Sequence, residues 1–216
     1  MIEGMLSAIR AQFPLTEMSC GQYHNMKVKG MKFIIRRFKA EGLGTVSTMA
    51  ATGFLGLMKM DTLIINPTAV DMPLLSYDRV RALGNDTLIF ELYDTLLEQQ
   101  EFPQLANAKL TGKYLPDHAL GSHWYDSLRL PLSLSKKGDK EHTQEMNRLA
   151  LTYLESFLLD AKASPACEEA LKKEKASVYV EGLLTHGGPA TDIFKQGLGE
   201  EKTADLFRRI LFATQH

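Results

Sequence analysis

The stretch DMPLLSYDRV sets Asp71 and Asp78 seven positions apart in a run otherwise apolar enough to be buried. A carboxylate gains nothing from such surroundings. Without a partner its charge is costly to bury, and the group responds by raising its pKa. A carboxyl that keeps its proton near neutral pH is suited to general acid catalysis. The two acids are therefore either solvated at a loop or kept for proton chemistry. D-x-P is also an ordinary turn sequence, and Asp78 could simply cap a turn or pair with Arg79 or Arg81.

Other chemistries find less support. His118 and His123 lie in DHALGSHWYD beside Asp117 and Asp126, but their spacing fits no firm ligand template, and a metal centre is not expected. Cys20 and Cys167 form neither a CxxC pair nor a disulfide framework. There is no GxSxG elbow, P-loop, HExxH or GxGxxG in the right context. The methionines and aromatics of MAATGFLGLMKM read as core. A formal net charge of -1 argues against a nucleic-acid partner and against an anionic membrane surface. No signal-peptide layout opens the chain and no long apolar run interrupts it, so a soluble cytoplasmic protein is expected.

The elements that would position these residues follow from periodicity. The 216 residues, 44% hydrophobic, suit one domain over 1–216 with a sizeable core. Ile2, Leu6, Ile9 and Phe13 recur at helical spacing. From His24 to Pro67, β-branched and aromatic residues broken by Gly30, Gly42, Gly44 and Gly53 predict an antiparallel meander. DTLIFELYDTL (86–96) reads as another strand, and so does SLRLPLSLS (127–135), with Pro131 near an edge or bulge. EMNRLALTYLESFLLDAK is an amphipathic helix; a second is expected to start with Ser164 as N-cap and Pro165 at its first position, and two shorter ones follow, separated at Gly197 and Gly199. Strands first and helices last indicate an α+β layout.

With these elements in order, DTLIINPTAVDMPLLSYDRVRALGNDTLIFELYD resembles the central strands of the ferredoxin-dependent bilin reductases. There an apolar strand ends in a proline, D-x-P follows, and a second aspartate comes a few residues later. The tail GGPATDIFKQGLGEEKTADLFRRILF is similar to their C-terminal helix pair. Red chlorophyll catabolite reductase is a related member of the fold group. The resemblance implies an α/β/α three-layer sandwich with a central antiparallel sheet and C-terminal helices, and a linear tetrapyrrole held between sheet and helices. It also implies an enzyme with no bound cofactor, taking single electrons from ferredoxin or a similar donor such as flavodoxin, with protons from the protein.

Residue by residue, the resemblance matches Asp78 to the proton donor and Asp71 to an earlier acid whose role would be mainly to fix the turn around Pro73. Thr62 stands where the phycocyanobilin-forming reductase carries a histidine, and GGPAT, with Pro189, departs from members that carry a lysine there. Both departures leave room for a tetrapyrrole carrier or sensor that reduces nothing. Bilin propionates call for cations. Lys136 aligns with a basic residue at the pocket mouth, while Arg36 and Arg37 point to opposite faces of one strand, so only one of them can serve. For an acidic donor the candidate docking residues are Lys172, Lys173, Lys175, Arg208 and Arg209.

Overall fold

Alternating apolar residues from Asn25 onward pair into one sheet in a computed structural model that describes residues 1–215, apart from the side chains of Phe54 and Pro189. The reading at Pro189 concerns one of those side chains and so lies outside the described set. The strands are β1 Leu15–Met18, β2 Asn25–Val28, β3 Met31–Ala40, β4 Gly44–Gly53, β5 Met58–Pro67, β6 Leu74–Ala82, β7 Asn85–Tyr93 and β8 Leu134–Gly138. Their order is β1-β3-β4-β5-β6-β7-β8, with β2 also paired to β3 and every pairing antiparallel. Leu83 and Gly84, both at positive φ, close the two-residue β6–β7 hairpin, a backbone that matches strand twist. Gly44 is needed at the start of β4, because a Cβ there would lie 2.3 Å from the Asn66 carbonyl oxygen.

Strand alternation sends side chains into two separate cores, one on each face of the sheet. On one face Tyr77, Leu88 and Phe90 pack with α1 Ile2–Gln12, α2 Pro103–Thr111 and α3 Thr143–Ala163. On the other, Phe33, Ile35, Ile64 and Tyr93 pack with α4 Glu169–His186, α5 Pro189–Leu198 and the end of α6 Glu200–Asp205, which runs on into a π-helical turn, Leu206–Leu211. The result is the expected α/β/α sandwich. Gly197 lets α5 approach β2, since a Cβ there would lie 2.2 Å from Val28 Cγ1.

Three elements differ from the sequence reading. The strand expected over 127–135 is confined to its end: Trp124–Leu128 is a 3₁₀ turn, Arg129 makes only an isolated bridge to Tyr93, and β8 begins at Leu134. Pro131 has no N–H for a ladder, and Leu130 and Leu132 pack on the core from a loop whose Leu130 amide donates to the Leu92 carbonyl. Ser164 ends α3 rather than capping α4: its hydroxyl donates back to the Asp160 carbonyl. Residues 165–167 instead run beside the β5–β6 connection, Asp71 N donating to Pro165 O and Cys167 N to Ala69 O, and α4 starts at Glu169. The third difference is α2, which has no counterpart in the reading above.

Candidate functional site

A cavity of about 420 Å³ lies between the sheet and the α4–α6 layer. Its size suits a small organic ligand. Met31, Phe33, Met49, Met58, Met60 and Ile64 supply its sheet side, and Phe194, Phe207, Leu211 and Phe212 its helical side. The π turn contributes directly to that wall, a placement common at functional sites. Among the described residues, no lysine or arginine lines the cavity.

Asp78 opens into this space from the middle of β6. Thr62 is its cross-strand partner on β5 and donates its hydroxyl to Asp78 Oδ1 at 2.5 Å; Ser76 donates more weakly to Oδ2 at 3.4 Å. The cations next to it in sequence are engaged elsewhere. Arg79 points to the opposite face and grips Asp86 with two bonds of 2.8 and 2.6 Å, while Arg81 bonds Asp61 at 2.6 Å. Burial without a cation pushes the Asp78 carboxyl up to about 6; the Thr62 bond opposes that rise and the nearby Glu91 charge adds to it. The group can hold and release a proton near neutral pH.

The other sequence candidates do not converge on Asp78. Asp71 is buried outside the cavity lining, where its carboxylate accepts from the Leu97 and Glu98 amides, Gln100 Nε2 and Lys172 Nζ. Its burial opposes ionisation, but those donors outweigh it and hold the carboxyl below the usual range. Lys136 pairs with Leu88, whose side chain faces the α1–α3 core, so it points away from the cavity. Its ammonium donates to Asp117 Oδ1 at 2.6 Å and to the Leu115 carbonyl at 3.2 Å, so Lys136 does not stand at the pocket mouth as the resemblance implied. Arg36 turns to α1, bonding Glu3 and Glu17, and Arg37 takes the other face and donates to the Arg209 carbonyl; neither lines the cavity. Of the expected docking residues, one is withdrawn from the surface and two are ion-paired. Lys172 is fully buried, and Arg208 and Arg209 are ion-paired to Glu181 and Asp205.

Several cavity residues were not singled out from sequence. Glu91 and Tyr93 come from β7, Tyr125 from the 3₁₀ turn and Tyr179 from α4; His118 and His123, weighed in the sequence only as metal ligands, also line the cavity from the loop before Trp124. Tyr93 stacks on Tyr179 with ring centroids 3.9 Å apart, and Tyr125 meets both edge-on. Alternation along DTLIFELY already placed Ile89, Glu91 and Tyr93 on one face. That signal could have found Glu91.

The layer order, the antiparallel sheet and the cavity beneath the C-terminal helices agree with the sandwich that the sequence resemblance implies. Among solved structures, the chain is similar to phytochromobilin synthase from tomato in complex with biliverdin, with a TM-score of 0.79 over 99% of this chain and 82% of that one. Identity is 15%, so the likeness establishes the fold. No family model matches the chain, and neither does any curated protein.

Proposed function

We propose that this protein binds an open-chain tetrapyrrole of the biliverdin type in the cavity and reduces it, taking electrons one at a time from an external carrier such as reduced ferredoxin or flavodoxin. The observation that carries the reading is Asp78: a carboxyl with its pKa pushed up to about 6, facing a mostly apolar cavity, in a fold shared with a biliverdin complex. Reduction of one double bond takes two electrons and two protons. Asp78 supplies a proton to the pigment once the first electron has arrived, is reprotonated from solvent, and supplies the second proton when the donor delivers the second electron, after which solvent reprotonates it again. Thr62 holds the carboxyl in place from the neighbouring strand while the apolar walls keep bulk water from the reacting carbons. The aromatic group of Tyr93, Tyr125 and Tyr179 offers flat faces to a conjugated ligand. A cytoplasmic location belongs to the same proposal; among the described residues no helix is long and apolar enough to cross a membrane.

Asp78→Asn tests the assignment. It should bind biliverdin with nearly unchanged affinity and reduce it on the order of a hundredfold more slowly. Turnover at the wild-type rate would remove Asp78 from the proton-donating role.

A further inference from the structure

Glu91 is a second carboxylate on the cavity wall, and proton donation by Asp78 leaves it without a task. It sits on β7 directly opposite Ser76, while Asp78 is opposite Ile89. The two acids are therefore diagonal neighbours on one face of the sheet, a relation that spaces them by about 7–8 Å. Their fixings differ. Glu91 is 8% exposed and accepts from Tyr93 Oη at 2.7 Å and from Arg129 Nη1 at 3.0 Å. Arg129 in turn donates its other terminal nitrogen to Asp126 Oδ1 at 2.8 Å, tying the 3₁₀ segment to β7. Asp78 accepts from two neutral hydroxyls only.

Resting on the bilin-reductase reading, we propose that Glu91 is the positioning residue of this site: pinned by Arg129 and Tyr93, its carboxylate keeps the transferable proton on Asp78 and presents a fixed negative charge to a cationic conjugated ligand. Two carboxyls with different partners are a recurring way of dividing proton-holding from charge-stabilising work. The polar groups that line the cavity with Asp78 are Thr62 from β5, Ser76 from β6, Glu91 and Tyr93 from β7, Tyr125 from the 3₁₀ turn, Tyr179 from α4, Thr191 from α5, and His118 and His123 from the loop.

The test follows the protonated carboxyl band of Asp78 by infrared titration of the full-length, ligand-free protein, with Asp78→Asn assigning the band. Glu91→Gln should lower the Asp78 midpoint by about one unit, and Arg129→Gln, which leaves the Glu91 charge unbalanced, should raise it. Glu91→Asp should restore most of the wild-type midpoint. An unmoved midpoint in folded Glu91→Gln overturns the proposal; if that variant does not fold, an unmoved midpoint in Arg129→Gln does so. The titration needs no pigment. A protein that shows these shifts yet ignores biliverdin would uphold the coupling and sink the bilin reading. One that reduces biliverdin with no shift would do the reverse.

Discussion

At the scale of single residues, the acid that suits the chemistry weakens the fold. The Asp78 pKa is raised from 3.8 to about 6, so the folded state binds this proton more tightly than the unfolded state. The penalty is full above pH 6 and is relieved as pH falls from about 6 towards 3.8. Asp78→Asn keeps the shape without the charge. It should be more stable than wild type by about 1–3 kcal/mol at pH 8, with the gap closing near pH 4, as thermal melts at the two pH values would show. A gap that does not depend on pH would count against a raised Asp78 pKa. The sequence disclosed this residue because an acid stands out in an apolar run. Glu91 was missed because a single acid on one face of a strand reads first as solvated, although its neighbours on that face are Ile89 and Tyr93. Lys136 was misplaced for a related reason: its face depends on the register between β7 and β8, which pairs it with Leu88, and no local pattern encodes that register.

At the scale of elements, two contacts fix α4, one against the β5–β6 connection and one against the 3₁₀ turn. Lys172 of α4 donates to Asp71 Oδ1 and to the Met72 and Thr95 carbonyls, at 3.1, 2.7 and 2.6 Å, from a fully buried position. Removing one member of such a pair leaves the other buried and short of partners. Lys172→Met should therefore cost about 3–5 kcal/mol in denaturant unfolding. Because the folded Asp71 pKa is depressed, its contribution is present above the unfolded value of 3.8 and is lost as pH falls through the lower folded value. Acid melts of wild type should show that loss, and Lys172→Met should show less of it. The second contact is at Gly182, where a Cβ would lie 2.1 Å from the ring of Trp124, whose Nε1 donates to the Gly187 carbonyl at 3.0 Å. Gly182→Ala should displace the 3₁₀ turn that carries Tyr125, red-shift the emission of the sole tryptophan, and weaken ligand binding on the order of tenfold. Unchanged emission and affinity would show that the turn does not depend on this contact. The long helices were readable from their apolar stripes, but α2 was not, because PQLANAKLT buries only Leu105 and Ala108. The Ser164-Pro165 signal was a real chain break whose job, lining the β5–β6 connection, lies far away in sequence.

At the scale of the whole molecule, the meander and the two cores were legible because strand alternation and helical stripes are local, repeated signals. The cavity was not. It arises where α4, α5 and the π turn stand off from the sheet, a property of packing among distant segments. The absence of lysine and arginine from its described lining has a consequence for recognition: ligand carboxylates gain no ammonium or guanidinium partner inside it. Biliverdin and its dimethyl ester should bind within about threefold of one another, measured by quenching of Trp124, whereas a preference for the free acid above about tenfold would require a cation the lining does not provide.

The most direct measurement is an anaerobic absorbance titration with biliverdin followed by reduced ferredoxin. Saturable binding, a transient radical band and then loss of the long-wavelength absorbance are the predicted result. Saturable binding with a spectrum that stays unchanged after the donor is added would contradict reduction and leave a tetrapyrrole carrier in its place, and no binding at all would contradict the assignment of the cavity to an open-chain tetrapyrrole.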